Sequence, residues 1–148
     1  PLSLDSKAIM WSCCCKRICN GCNYSNMTRE MEGSLKHTCA FCRLSFPTSQ
    51  EEIELNIMKR VEVNDPGATQ EKGWRLYNER DYKGAFEYYA KAAKLGDAEA
   101  HCNLACMYRE GVGVEKDVKK GVYHLEEAAI KGHPKARNDL GCIEEGNG

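Results

Sequence analysis

The sequence predicts a mainly α-helical protein: an α-solenoid of antiparallel helix pairs preceded by a small cysteine-stapled module. Three observations predict it. The first is an internal period of 36 residues, which carries Asp81 onto Asp117, Ala92-Ala93 onto Ala128-Ala129 and Gly96 onto Gly132. It also carries Ala100 onto Ala136, Leu104 onto Leu140 and Cys106 onto Cys142, and a period in this range marks stacked helix pairs. The second is the punctuation of the repeats by glycine at Gly96, Gly111, Gly113 and Gly132. The third is the placement of the cysteines: of ten in 148 residues, seven lie between Cys13 and Cys42.

The chain divides into three parts. Residues 1–46 hold the cysteine cluster and little helical periodicity. A segment this small buries too little apolar surface to fold unaided, and thiolate ligation supplies the missing staple. Residues 47–67 form a linker helix and turn. Ser49 with Glu52 three positions on is a capping box, and Ile53, Ile57, Met58 and Val61 follow at helical spacing. A helix over 50–64 is expected to end at Asp65-Pro66-Gly67 and to cap the first edge of the solenoid. Residues 68–148 are the repeats, with helices expected over 68–80, 82–95, 98–110 and 118–131. A final partial repeat follows over 134–145, where Pro134 suits a helix first turn.

Two resemblances follow from the repeat residues. Gly73, Leu76, Ala85, Tyr89 and Ala92 have the spacing of a tetratricopeptide unit, in which small residues let two helices approach closely. Leu104-Ala105, Tyr108, Gly111, Gly113-Val114, Asp117, Lys120-Gly121, Ala128-Ala129 and Gly132 stand in the order of a Sel1-like repeat. Ala105 stands for the usual Gly and Gly121 for the usual Ala, at a local cost in helix stability. The resemblance covers residues 69–148 and implies a protein-interaction scaffold with a concave face.

Composition excludes several classes. The net charge of −1 creates no field that would draw the chain to nucleic acid or an anionic membrane. No apolar run reaches membrane-spanning length, and Ala8-Ile9-Met10-Trp11 is too short for a signal peptide. Without a secretory signal, clustered CxxC pairs argue for metal over disulfides, and for an intracellular, cytoplasmic protein. No Ser/His/Asp set, phosphate loop or dinucleotide fingerprint occurs.

Cys19/Cys22 and Cys39/Cys42 are two CxxC pairs sixteen residues apart. Each short loop aims two sulfurs at one ion, and tetrahedral Zn²⁺ takes two such pairs. Together with Cys13-Cys14, the arrangement resembles the second half of a RING finger, whose eight ligands bind two zinc ions in cross-brace order. The resemblance makes Cys13-Cys14 the second ligand pair, Cys19/Cys22 the third and Cys39/Cys42 the fourth. Cys15 is the alternative sulfur, a substitute for Cys14 or a spare thiol. Lys16 stands where many RINGs place a histidine, and His37 is a weaker candidate ligand. The first pair has no counterpart in residues 1–12, which suggests a truncated module with one complete zinc site on Cys13, Cys14, Cys39 and Cys42.

The RING resemblance also implies a ubiquitin-ligase role. Arg43 directly follows the last ligand, where an arginine can bridge an E2 enzyme and its ubiquitin through its planar fork. Ala40 departs from the proline common at its position. The competing reading is an interaction scaffold with purely structural zinc, in which Arg43 is a solvated charge. Neither reading gives the chain a catalytic constellation of its own.

Other residues are expected to be structural. Cys102, Cys106 and Cys142 are read as core packing, His124 as packed in an aromatic slot, and His101 and His133 as surface residues. Tyr82, Phe86, Tyr88 and Tyr89 are read as helix–helix contacts, with a groove lining as the alternative for one of them, and Lys116, Lys119 and Lys120 as a solvated face.

Overall fold

The computed structural model describes residues 9–11, 16–18, 20–33, 38–39, 41–43, 45 and 47–146. It contains two compact units, Pro1–Val63 and Asn64–Gly148.

In the first unit, β1 (Ile9–Trp11) pairs antiparallel with β2 (Lys16–Ile18), with Met10 opposite Arg17. The unit also holds α1 (Asn20–Glu32), an element its weak apolar periodicity did not announce. Buried Glu30 ties α1 to the segment that follows, because its Oε1 accepts the Thr38 N–H at 3.3 Å. Thr38 in turn forms an isolated bridge with Ser45, bracketing Cys39 and Cys42. Helix α2 (Gln50–Glu62) begins at the expected capping box. Ser49 Oγ accepts the Glu52 N–H at 3.2 Å, and Glu52 reaches back to the Thr48 N–H at 3.0 Å.

The second unit consists of five helices in sequence: α3 (Pro66–Asn78), α4 (Tyr82–Lys94), α5 (Ala98–Glu110), α6 (Val118–Ile130) and α7 (Pro134–Gly146). Each packs on the next, most extensively within the α3–α4 and α5–α6 pairs. Asp65-Pro66 does more than end α2. Asp65 caps α3 and Pro66 opens it, so the helix starts two residues earlier than its apolar pattern suggests.

Aspartate starts four of these helices. Asp65, Asp81, Asp97 and Asp117 each accept an amide N–H three residues on, at 2.7–3.1 Å, which satisfies a donor the helix leaves orphaned. At α7 the repeat register puts His133 in the place of Asp97, and its Nδ1 lies 3.3 Å from the Ala136 amide.

Helix α5 is the shared wall of two cores. Ala100, Leu104 and Met107 join Ala85, Tyr89 and Ala92 of α4 on one side. Cys102 and Ala105 join Leu125, Ala128 and Ala136 on the other. Gly121, the departure from the usual Ala, sits where an added Cβ would come within 2.7 Å of Arg109 and 3.2 Å of the Ala105 carbonyl. The missing methyl lets α6 seat closely on α5.

Candidate functional site

A groove of about 430 Å³ opens in the helical unit, walled by Phe86 of α4, Leu104 and Tyr108 of α5, and Tyr123 and His124 of α6. Each wall residue follows from helix phase. Leu104 and Tyr108 are one turn apart on α5, and Tyr123 and His124 project from the facing stretch of α6. Phe86 meets Tyr108 edge-on at a centroid distance of 5.5 Å. Tyr108 stacks on His124 with planes within 9°. Lys120 Nζ lies 5.5 Å from the Tyr108 ring centre, a cation–π contact. Lys94, Lys131 and Glu127 supply the charges around the groove.

His101 departs from the surface position expected of it. It is 7 % exposed, and its Nδ1 lies 3.0 Å from Nδ1 of His124. Burial holds both imidazoles below their ordinary pKa. For His124 the neighbouring His101 adds to that effect, and for both rings Glu127 opposes it. A sequence signal for His101 was present: it precedes Leu104 by three and Tyr108 by seven, which places it on their helix face. His124 packs in its aromatic slot as expected. His133 sits at the start of α7, with Nε2 3.5 Å from Glu99.

A second cavity, about 330 Å³, is lined by Trp74, Tyr77, Tyr89, Asn103, Cys106 and Glu110 among others. The three repeat cysteines differ from one another. Cys102 is buried in the α5–α6–α7 core, Cys106 is half-buried against the cavity, and Cys142 is exposed. Cys142 therefore departs from the packing expected of it, although it occupies the register position of Cys106. The hydrogen bond between the Cys102 and Cys106 thiols pushes the Cys106 pKa down to about 6 and that of Cys102 up. Lys135 helps to lower Cys106.

The cysteine module is described in part. Cys39 and Cys42 lie in one turn, and Cys39 is fully buried. The amides of Phe41 and Cys42 point at Cys39 Sγ, at 3.4 and 3.5 Å. Arg43 is exposed, with a left-handed backbone at φ 61°. Cys22 lies in the first turn of α1. Cys13, Cys14, Cys15, Cys19, His37 and Ala40 lie outside the described residues. Among the described residues, no cluster of three or more His, Cys, Asp or Glu is arranged to hold a metal. None of the described helices is long and apolar enough to cross a membrane.

Residues 72–97 and 98–133 match the Sel1 repeat family model. Within the helical unit, these two segments are Sel1 repeats. A Sel1 repeat protein of Oxalobacter formigenes has a similar structure, with a TM-score of 0.57 and 33 % identity. That likeness covers 62 % of this chain and 39 % of the other. A protective antigen of uropathogenic Escherichia coli with an SLR fold is similar at a TM-score of 0.59 and 29 % identity, over 66 % of this chain and 22 % of that one. In sequence, the chain is 38 % identical over 60 residues to the ERAD-associated E3 ubiquitin-protein ligase component HRD3B of Arabidopsis thaliana. That segment is 40 % of this chain and 10 % of the plant protein. The groove lies within the matched repeats, with a lining that runs from Phe86 to Lys131.

Proposed function

We propose that this chain is a recruiting protein. Its Sel1 groove holds a protein partner, and its N-terminal cysteine module binds zinc as a RING-like element that engages E2~ubiquitin. The groove carries the first half of this reading: aromatic walls and a few charges suit an apolar side chain of a partner segment.

Support for the second half comes from the Cys39–Cys42 turn. Amide N–H groups directed at a buried sulfur suit a thiolate, the form that ligates zinc. Cys13, Cys14, Cys39 and Cys42 would hold one ion, with Cys15 as the alternative sulfur, and Cys19 and Cys22 would contribute to a second. Zinc there would be structural, joining the hairpin to the turn. Phe41 and Arg43 are both exposed on this turn, the position a partner-facing pair would take. The likeness to a component of a ubiquitin ligase supports a ubiquitin setting. Such a ligase forms no covalent intermediate; it orients the E2~ubiquitin thioester for attack.

The scaffold alternative keeps zinc and the groove and omits E2. The two separate in one assay, discharge of ubiquitin from a panel of charged E2 enzymes by the zinc-loaded protein. Accelerated discharge supports the ligase. A panel that stays charged leaves the scaffold.

A further inference from the structure

We propose that His101 and His124 form a proton-operated latch in the wall of the Sel1 groove, which ties α5 to α6 until the pair takes up its second proton. The inference rests on the groove as the partner-binding face and adds its regulation.

The geometry is specific. Two Nδ1 atoms 3.0 Å apart need one N–H between them, so one ring donates and the other accepts. The Ala93 carbonyl of α4 favours a proton on His101. One added proton is tolerated, because the ring that becomes imidazolium donates its Nδ1–H to the neutral Nδ1 of the other. A second is not. Both Nδ1 atoms would then carry hydrogen and face each other as like charges, in a place where His101 has almost no water.

The surroundings set the direction of the pH response. Glu127 of α6 favours a proton on both rings, and Asp97 of α5 favours one on His101. Lys131 of α6 opposes it, and Lys94 of α4 lines the same groove. Burial outweighs these charges and holds both rings below the ordinary imidazole value. A folded-state pKa below the unfolded one contributes stability above the unfolded value, about 6.5. That contribution is lost as pH falls from there through the folded values. Because Tyr108 stacks on His124 and Phe86 meets Tyr108, parting the pair moves the aromatic wall of the groove.

Long-range ¹H–¹⁵N spectra of the imidazoles in the whole chain, recorded from pH 8 to 4.5, test the latch without any ligand. The expected result is a Nδ1–H on one ring of the pair and a Nε2–H on the other at pH 8, followed by two separate protonation steps below the ordinary imidazole value. The urea midpoint of the helical unit should fall over the same range. In His124→Phe, which keeps the aromatic slot, that fall should shrink by at least half, while His133→Gln should not shrink it. Two independent titrations at the ordinary imidazole value would overturn the latch. So would a His124→Phe midpoint with the parent's full pH dependence. If His124→Phe does not fold, the parent spectra alone decide. Loss of partner binding with the titration intact would instead count against the groove reading.

Discussion

Gly113 lies against the first residue of α4: a Cβ added to it would stand 2.5 Å from the Tyr82 carbonyl oxygen. The loop between α5 and α6 is thereby seated on the preceding helix pair. Gly113 also has a φ of 72°, a conformation that L side chains rarely adopt. Gly113→Ala should therefore destabilise the helical unit by roughly 2–4 kcal/mol, from the left-handed backbone and the overpacked contact together. Gly141 is the contrast, since it lies within α7 with nothing within 4 Å of an added Cβ. Gly141→Ala should stabilise by about 0.5–1 kcal/mol. Urea unfolding of the two variants measures both, and equal shifts would contradict the seating.

Leu104 is 1 % exposed at the centre of the core that α4 and α5 share. Leu104→Ala should cost roughly 2–5 kcal/mol by lost burial and a residual cavity. Lys119 is exposed in the first turn of α6, and Lys119→Ala should change stability by less than about 0.5 kcal/mol. Similar small effects from both would mean that the face of α5 turned inward is misassigned.

The helical half was legible because its signals are local and repeated. The capping box at Ser49, the glycine breaks and the 36-residue register fix where helices start and stop. Elements whose causes are not local were harder to read. Helix α1 has little apolar stripe, and its buried Glu30 is held by the Thr38 amide eight residues on, a contact no periodicity reports. His101 looked like a surface residue by type, and its burial depends on His124 from another helix. Cys142 shares its register with Cys106, yet lies on α7, with no later helix among the described residues to cover it. The cysteine module was legible as a spacing pattern, while the sulfur geometry seen in the structure is that of the Cys39–Cys42 turn.

The thiols of α5 should differ in reactivity. The Cys102 hydrogen bond and Lys135 lower the Cys106 pKa to about 6, while Cys102 is raised and buried. The thiolate is the reactive form. Iodoacetamide at pH 7 should alkylate Cys106 well before Cys102. Peptide mapping by mass spectrometry reads both rates. A Cys102 rate equal to or above that of Cys106 would contradict the assignment.

Arg43 holds a left-handed backbone, φ 61°, on the turn that carries Cys39 and Cys42. Arg43→Gly removes the steric cost of that conformation and should stabilise the turn by about 1 kcal/mol. In the ligase reading the same change removes the contact to E2~ubiquitin, so discharge should slow while zinc content is kept. A loss of roughly 1–3 kcal/mol of transition-state stabilisation suits charge-assisted hydrogen bonds. Unchanged discharge by a stabilised variant would remove Arg43 from the ligase reading.

Metal analysis of the purified chain beside Cys39→Ser asks whether zinc holds the N-terminal module. About one zinc per chain, bound by four thiolates, is expected. Cys39→Ser should lose that zinc and the order of the N-terminal unit, and leave the helical unit's unfolding transition in place. A chain that purifies without zinc and keeps the same near-ultraviolet signal from Trp11 after chelation would contradict it.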